Sequence, residues 1–446
     1  MSLHDYKLIS SKIRWLYIDF NSYFASVEQQ LQPRLRGRPI AVVPVDSDST
    51  SVIAASYEAK AFGIKTGTPV YEARRLCPQI ICVLGRHENY VTFHNRILIE
   101  IDRHIPVTKV CSIDEVACLL MDNENSLERA AEIARAIKTG LALNIGPYVR
   151  CSIGFAPNRY LAKVATDLQK PDGMTFLGAQ NLPQRLLDLP LSDLPGIGRS
   201  MERRLSAAGV DTMPILLGLD ASELRRVWGN IWGERIWYLL RGVDLPEEEI
   251  VRRSLGHSHV LAPELRVPLR AKDVIRRLTL KVTSRLRRMG FYASAFSLSV
   301  RIEHGPRLSA ERRCPYAQDS LIFLDMMSEA WHQILNEASR NGDHSPQMSM
   351  FSMAREPLRI RFKKVSVTLY NLRPADQIQP ELFDALPHAG KKSRDKAVKL
   401  SLAVDKINQK YGRDSVLIGM LPSQGKGFTG TKIAFTRIPD IKEFAE

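Results

Sequence analysis

Two apolar, strand-like runs in this chain end in carboxylates, and this pattern constrains the fold more than any other feature. In residues 14–20 the side chains of a strand would alternate, so Asp19 projects from the face opposite the main apolar positions. In residues 110–116 the neighbours Asp114 and Glu115 would point to opposite faces of a straight strand. They can share one site only at a turn, so the sequence predicts an acidic hairpin tip.

Three carboxylates at the ends of strands are a ligand set that can hold a pair of Mg²⁺ ions over a nucleoside triphosphate. The pattern therefore favours metal-assisted nucleotidyl transfer. The alternative is that Asp114 and Glu115 form an ordinary solvated turn, as most isolated acidic pairs do. The surrounding sequence decides between these interpretations.

The charge of the chain indicates the kind of partner. With 63 Lys and Arg against 48 Asp and Glu, the 446-residue chain has a formal net charge of +15 and a pI of about 9.6. A charge of this size favours a polyanionic partner, and nucleic acid is the simplest candidate. The length is too great for one core and, by the usual size of domains, suggests about three or four.

The sequence gives no sign of a membrane span or a leader. Apolar runs fall short of the ~18 residues that a spanning helix needs, and residues 1–7 lack the pattern of a signal peptide. We therefore expect a cytoplasmic protein without a membrane partner. The six cysteines have no CxxC spacing and mostly lie in apolar runs, so they predict reduced core thiols rather than a zinc site or disulfides.

Several short motifs surround the acids and follow one another over residues 12 to about 245. They are residues 19–28, 57–64 and 112–115, then 152–154 with Asn158, Lys163, Asp167 and 170–173, and finally 194–198. In this order they resemble the motifs of Y-family (DinB/UmuC-type) translesion DNA polymerases. Each motif alone is weak, but the set is highly specific.

The resemblance implies an α/β multidomain fold in the form of a right hand. It would comprise a catalytic palm, small fingers, a helical thumb with a helix-hairpin-helix turn, and an α/β little finger that binds DNA. The expected boundaries are 1–22 and 86–177 for the palm, 23–85 for the fingers, 178–248 for the thumb, 252–372 for the little finger and 373–446 for a C-terminal tail. In the palm, strands are predicted at 15–20, 110–113 and 149–155.

The expected little finger is basic and periodic. Helices are predicted at 271–290 and 321–338, and strands at 296–302 and 358–363. On the last strand Arg359, Arg361 and Lys363 share one face, which predicts contact with DNA phosphates. The alternative is that this basic face only keeps the protein soluble.

The resemblance also assigns roles to the three acids. Asp19 and Asp114 would bridge two Mg²⁺ ions, with Glu115 on the side of the primer hydroxyl, and the carbonyl of Phe20 would be a further ligand. Two such ions activate the attacking hydroxyl and neutralise the pyrophosphate that leaves. Position 21 is Asn where many relatives carry another acid, which leaves the three acids intact.

A site for the incoming triphosphate is implied by the same motifs. Tyr57, Lys60 and Lys170 would contact its phosphates. The family often carries Thr and Arg at the positions of Ala54 and Lys60, so we expect nucleotide binding to be retained but weaker. A simpler interpretation of Lys170 is a cation at the end of a helix.

Selection of the sugar is implied at the aromatic pair Tyr23 and Phe24. Backbone amides near both residues would add donors for the phosphates. Phe24 matches the family's aromatic ring that excludes a ribose 2′-hydroxyl, whereas Tyr23 is expected in the core. The alternative for Phe24 is also a core position.

A turn in the expected thumb predicts a second contact with DNA. In residues 194–198, Gly196 and Gly198 would let backbone amides approach a phosphate at the start of a helix. Such a turn also occurs as a plain corner between two helices.

The tail carries a candidate docking peptide. Gln379, Leu382 and Phe383 resemble the anchors of the pentapeptide that binds the bacterial sliding clamp, and residues 347–351 are a second candidate. The pattern is short and of low specificity.

A helix is predicted near the end of the tail. It would cover residues 393–411, with Leu400, Val404, Ile407 and Tyr411 facing inward. Its role is open.

We therefore predict a template-directed, Mg²⁺-dependent DNA polymerase of low fidelity that acts in damage tolerance. Its expected partners are primer-template DNA, deoxynucleoside triphosphates, a sliding clamp and other mutagenesis proteins. A catalytically silent relative that binds DNA and the clamp is the alternative; the three acids oppose it, and Ala54 and Lys60 keep it open. A two-metal nuclease explains less, because it gives no role to the triphosphate site.

Overall fold

The computed structural model describes residues 9–10, 12–247, 252–342, 360–378, 389–412, 415–416, 418–419 and 438. The chain separates into two compact units, divided between residues 248 and 249. Ile438 packs against the apolar core of the first unit although it lies near the end of the chain.

The first unit begins with mixed strands and helices and ends with helices alone. In chain order its elements are β1 (Trp15–Phe20), α1 (Tyr23–Leu31), β2 (Ile40–Val43), β3 (Ala54–Ala55), α2 (Tyr57–Lys60), α3 (Val70–Leu76), β4 (Ile81–Leu84), α4 (His87–Asp102), β5 (Lys109–Val110), β6 (Glu115–Leu119), α5 (Leu127–Asn144), β7 (Cys151–Ala156), α6 (Arg159–Leu168), β8 (Met174–Phe176), α7 (Gln184–Leu187), α8 (Arg199–Ala207), α9 (Met213–Gly218), α10 (Ala221–Trp228) and α11 (Ile231–Leu240).

Strand β1 is the centre of a five-stranded sheet with the order β5-β6-β1-β7-β8, and it is antiparallel to both neighbours. Its side chains alternate between two apolar clusters. Leu16 and Ile18 join the cluster that contains α4 and α5, and Tyr17 joins the cluster that contains α6. The strand is therefore covered on both faces, and Asp19 lies on the same side as Tyr17.

The acidic hairpin predicted from the sequence is present, but its first strand is shorter than expected. Strand β5 ends at Val110, so the prediction of a strand over 110–113 is wrong beyond its first residue. The chain turns instead, because the amides of Cys111 and Ser112 both donate to the carbonyl of Glu115, at 2.9 and 3.2 Å. Asp114 lies in this turn and Glu115 opens β6.

A second, three-stranded sheet with the order β3-β2-β4 lies between β1 and α4 in the chain. The short helix α2 lies between β3 and β4 in the chain, and its N-terminal cap is Ser56, whose hydroxyl accepts a hydrogen bond from the amide of Ala59 at 3.3 Å. This cap fixes the start of the segment that carries Tyr57 and Lys60.

The second unit is one antiparallel sheet packed against helices. Its elements are β9 (Ser254–Val260), α12 (Pro268–Arg288), β10 (Phe291–Ile302), β11 (Arg307–Ala317), α13 (Ser320–Gly342), β12 (Phe362–Pro374) and α14 (Ala389–Tyr411). The sheet order is β11-β10-β12-β9, and α12 and α13 share its apolar core. The helices of the described ranges include none that is long and apolar enough to cross a membrane.

Two predictions for this unit differ from the structure. The strand expected at 358–363 does not begin until Phe362, so Arg361 precedes it. In α14 the expected inward stripe is wrong: Leu400, Ile407 and Tyr411 are exposed, and Ser401 is buried instead. The helix is held by polar side chains, so its apolar pattern did not identify the face that packs.

Candidate active site

Pairing of β1 with β6 brings the first two acids together. Asp19 lies directly opposite Glu115 in the antiparallel register. The amide of Phe20 donates to the carbonyl of Asp114 at 2.9 Å, which fixes the turn against the end of β1. The three predicted residues are thus neighbours, because one strand end meets one hairpin tip.

The pKa of Asp114 reflects the crowding of the three acids. Burial raises this pKa to about 6, and the charges of Asp19 and Glu115 add to the rise, while a hydrogen bond from Ser112 opposes it. The Ser112 hydroxyl lies 2.6 Å from the Asp114 carboxylate. Such mutual repulsion among neighbouring acids is relieved by a bound cation.

Two lysines supply positive charge among these acids. Lys163 on α6 pairs with Asp19, and its ammonium lies 2.8 Å from Glu115 and 3.4 Å from Asp167. Lys170 lies 2.9 Å from Asp19 and 2.7 Å from Asp167. The sequence predicted Lys170 at the site but assigned no role to Lys163. The available signal was the spacing of four residues between Lys163 and Asp167 on one helix.

A glycine sets how closely α6 approaches the sheet. A Cβ added to Gly154 on β7 would lie 2.1 Å from the carbonyl oxygen of Ala162 and 2.8 Å from the amide of Thr166. Only glycine allows the helix backbone to lie directly on β7. This close approach places Lys163 over the ring of Tyr17 and beside Asp19, with its ammonium 5.7 Å from the ring centroid.

The acids fit a metal pair in their chemistry, and the lysines neutralise part of the site. Carboxylate oxygens are the ligands that Mg²⁺ prefers. Over the residues that the structure describes, no three His, Cys, Asp or Glu side chains form a ready metal cluster. The ammonium groups of Lys163 and Lys170 would have to move aside when ions bind.

Asn21 anchors the backbone beside the site. Its amide nitrogen donates to the Ser152 hydroxyl at 3.1 Å, and its amide oxygen accepts from the amide of Asp172 at 2.8 Å. A carboxylate could not donate the first of these bonds. The asparagine thus ties the end of β1 to β7 and to the turn after Lys170.

The residues predicted to bind the triphosphate are brought together with Asp19. The ammonium of Lys60 lies 4.3 Å from the centroid of the Tyr57 ring. Burial lowers the pKa of Lys60, and Lys170 lowers it further while Asp19 raises it, so these charges act on one another. Burial raises the pKa of Tyr57. The charge of Lys170 lowers this pKa, and the charge of Asp19 raises it.

Comparison with known proteins gives the family. The impB/mucB/samB family model matches residues 18–167, its C-terminal domain model matches 252–382, and the model described as the thumb domain of DNA polymerase iota matches 192–244. DNA polymerase IV of Moorella thermoacetica is 30% identical over 411 residues, covering 91% of this chain and 95% of that protein. The chain belongs to the Y family of DNA polymerases. DNA polymerase IV 1 of Bacillus subtilis is 31% identical over 332 residues, covering 73% of this chain and 78% of that protein.

The fold of this Y-family polymerase is also found among solved structures. A Y-family DNA polymerase chimera of Dbh and Dpo4 superposes with a TM-score of 0.62 at 24% identity, covering 80% of this chain and 98% of the chimera. The predicted Y-family fold with a helix-hairpin-helix thumb and a C-terminal little finger is thereby confirmed.

Tyr23 and Phe24 both lie in the core of the polymerase beside the acids. The ring of Phe24 stacks on Tyr90 with centroids 4.3 Å apart, and the hydroxyl of Tyr23 donates to the Tyr90 carbonyl at 2.7 Å. Burial raises the pKa of Tyr23, and the charge of Asp114 adds to the rise. Both rings are therefore fixed, and the role of Phe24 in sugar selection stays a prediction.

The glycines of the predicted helix-hairpin-helix turn leave its surface open. Gly196 has a φ of +93°, in the left-handed region, and Gly198 is the N-terminal cap of α8. A Cβ added to Gly198 would meet no atom within 4 Å, and one added to Gly196 would meet only Trp232 Nε1, at 3.6 Å. A phosphate could therefore approach the start of α8.

The residues predicted to bind DNA in the second unit are only partly placed as expected. Arg359 lies outside the described residues. Arg361 pairs with Glu303 at 2.9 Å and donates to the Pro263 carbonyl at 2.7 Å, so its guanidinium is engaged. Lys363 is exposed. The clamp-peptide residues 379–383 and 347–351 also lie outside the described residues.

A row of cations that the sequence analysis missed crosses the open face of the sheet. Arg301 on β10 pairs in register with Lys364 on β12 and with Arg307 on β11, and all three are exposed. The next positions along these strands, Val300 and Val365, are buried in the core. Strand alternation was the signal, but the register that aligns the three cations is not visible in the sequence.

His94 on α4 was also missed, and it holds the acidic turn. Its Nδ1 lies 2.8 Å from the carbonyl of Ile113, the residue before Asp114, and the ring is buried. Burial lowers the pKa of His94, so the ring is neutral near pH 7 and the carbonyl identifies Nδ1 as the protonated nitrogen. His94 is therefore a positioning residue for Asp114.

Replacing His94 by alanine is expected to lower kcat about tenfold or more with little change in the KM for primer-template DNA. The variant leaves a buried carbonyl without a donor, which costs about 1–3 kcal/mol and loosens the turn. Steady-state extension kinetics measure the split, and His104→Ala is the control on a neighbouring histidine. Equal effects of both variants, or a change in KM alone, would contradict the positioning role.

Proposed function

We propose that Asp19, Asp114 and Glu115 carry template-directed nucleotidyl transfer in this chain with the help of Mg²⁺. Family membership makes the chain a DNA-directed DNA polymerase of translesion synthesis. The observation that supports the proposed residues is the register of β1 against β6, which places Asp19 opposite Glu115 beside the turn of Asp114.

The residues divide the chemistry between them. When bound, two Mg²⁺ ions would activate the primer hydroxyl and stabilise the charge on the pyrophosphate. The three carboxylates would hold the ions. Lys60, Lys170 and the hydroxyl of Tyr57 would bind the triphosphate, since they lie beside Asp19 and form a cationic patch. Lys163, paired with Asp19 and Glu115, orients the acids before ions bind.

Primer extension with the purified chain tests this function. A labelled primer on a longer template should lengthen only when Mg²⁺ and deoxynucleoside triphosphates are both present. An unchanged primer would indicate the catalytically silent alternative, which the complete set of acids opposes. A shortened primer would indicate a nuclease, which gives Tyr57, Lys60 and Lys170 no role.

The domain boundaries follow the same proposal. The palm comprises 1–22 and 86–177, the fingers 23–85, the thumb 178–248 and the little finger 252–372, with the tail from 373 onward. The small fingers leave the nucleotide site loosely closed, which suits damaged templates and low fidelity. The polymerase would act in the cytoplasm, in the SOS response to DNA damage, and would raise the mutation rate.

Binding of the sliding clamp is proposed for Gln379, Leu382 and Phe383. Their support is the sequence of the pentapeptide, in which two apolar side chains would fill a cleft on the clamp. Other mutagenesis proteins are proposed as further partners, and no membrane partner is expected.

Primer-template DNA is proposed to lie on the open face of the second sheet. Replacing Arg301 and Lys364 together by alanine should weaken DNA binding and reduce the slope of log affinity against log salt by about one unit for each phosphate that is no longer neutralised. Fluorescence anisotropy over a salt series gives both quantities. Arg361→Ala is the matched comparison, because Glu303 already engages that side chain. A larger loss of affinity from Arg361→Ala would restore Arg361 as the main DNA-binding residue.

A further inference from the structure

Helix α14 presents apolar side chains to solvent along one line. Leu400, Ile407 and Tyr411 are 49%, 38% and 68% exposed, and the half-buried Val404 lies between them in the helical repeat. Their spacing of four, three and four residues places them on one stripe about 17 Å long. We name these four residues the outer stripe.

The polar side of α14 holds the helix on its own unit. Arg287 of α12 forms two hydrogen bonds with Asp405, at 2.6 and 2.9 Å, and its side chain is buried. The buried hydroxyl of Ser401 accepts from the amide of Ser320 at 3.0 Å. Asn408 exchanges two hydrogen bonds with the backbone of Val416, at 2.8 and 3.1 Å. The helix is therefore fixed without burying its outer stripe.

Lysines border the outer stripe on its solvent side. A helical projection at 100° per residue puts the exposed lysines on the side away from Asp405; they are Lys396, Lys399, Lys406 and Lys410. The ammonium of Lys410 lies 5.1 Å from the centroid of the Tyr411 ring, at the edge of the stripe. Asp405 is the one acid in residues 396–411, and Arg287 neutralises it. The surface is apolar along its centre and positive along its edge.

We propose that the outer stripe docks an amphipathic helix of a partner protein whose apolar seam is bordered by Asp and Glu. An apolar line at helical spacing is completed by the seam of another helix. The lysine border selects an acidic partner and opposes a second copy of α14, whose own lysines would face it. Duplex DNA would satisfy the lysines but leave Leu400 and Ile407 exposed. None of the residues of the outer stripe or its lysine border is among those proposed for catalysis.

Binding of two designed peptides to the full-length protein tests the proposal. Both peptides are labelled helices with Leu and Ile along one seam; one has Glu along both edges and the other has Lys. Fluorescence anisotropy should show at least tenfold tighter binding of the Glu-edged peptide. Ile407→Lys should weaken that binding tenfold or more. Leu402→Lys is the matched control, because Leu402 is 42% exposed on the same helix but off the stripe, and it should leave binding unchanged.

Reversing the charge of the lysines should change which of the two peptides binds more tightly. A variant whose helix is only destabilised would not show this change. The combined variant Lys399→Glu, Lys406→Glu and Lys410→Glu should prefer the Lys-edged peptide. Circular dichroism and basal primer extension should stay at the level of the unchanged protein in every variant.

Four outcomes would overturn the proposal. They are equal binding of the two peptides, equal loss of binding from Leu402→Lys and Ile407→Lys, tighter binding through the same residues to phosphatidylglycerol vesicles or duplex DNA, and a dimer in sedimentation that Ile407→Lys abolishes.

Discussion

Replacing Asp114 by alanine is expected to abolish primer extension, with a loss of at least about a thousand-fold in rate, or ~4 kcal/mol of transition-state stabilisation. The acidic turn places Asp114 next to Asp19 and Glu115. Its carboxylate would be needed most when charge develops on the transferred phosphoryl group. Primer-template affinity should change little, because other residues, Arg301 and Lys364, are proposed to bind the DNA phosphates, and loss of a metal ligand weakens transition-state stabilisation rather than ground-state binding of DNA. Extension assays over a Mg²⁺ series and anisotropy of the same DNA measure the two effects.

Asp122→Ala is the control for that variant, since Asp122 is an exposed acid in the turn that follows β6. It should extend primers at the normal rate. Thermal unfolding of Asp114→Ala should be close to normal, because burial and neighbouring charges already disfavour the ionised carboxylate. Extension retained by Asp114→Ala would remove the acidic turn from the mechanism.

The second large effect is expected at Phe24. Phe24→Ala should raise incorporation of ribonucleotides relative to deoxynucleotides by roughly two orders of magnitude or more, which corresponds to about 3 kcal/mol of discrimination. An aromatic ring under the sugar would exclude a 2′-hydroxyl by its volume. Stacking on Tyr90 holds the Phe24 ring in one orientation. Single-nucleotide insertion kinetics with matched ribo and deoxy substrates measure the ratio.

Stability has to be separated from selectivity at this position, because Phe24 is buried. Its truncation to alanine costs about 3–5 kcal/mol of folding free energy by the usual range for core aromatic residues. Phe24→Leu keeps most of the volume, so it should lose less stability than Phe24→Ala and should also relax sugar selection less. Tyr23→Ala should mainly lower the melting temperature. The opposite result, relaxed selection in Tyr23→Ala alone, would shift the alignment of residues 19–28 by one and reassign the backbone ligand at Phe20.

The catalytic part of the structure follows closely from the sequence. The alternation in β1 predicted the face of Asp19, and the adjacency of Asp114 and Glu115 predicted a turn, because a pleated strand separates neighbouring side chains. The end of β5 was less evident from the sequence. Backbone amides of Cys111 and Ser112 form the turn, and such bonds leave no pattern in side-chain chemistry.

Residues that act through tertiary packing were the ones missed. His94 contacts the acidic turn from helix α4. Lys163 contacts Asp19 only because Gly154 lets α6 lie on β7. The face of α14 was assigned wrongly for a related reason. Hydrophobic periodicity identifies an apolar side of a helix, whereas polar contacts, among them the pair of Arg287 with Asp405, decide which side is attached.

The position of β1 has a consequence for how the polymerase loses activity on heating. This strand is paired on both edges and covered on both faces, so its amides can exchange with solvent only when the unit opens as a whole. We expect its amide protons to be among the slowest to exchange with deuterium. A carboxylate on such a strand keeps its position until the unit unfolds. Polymerase activity and tertiary structure should therefore be lost in one cooperative transition.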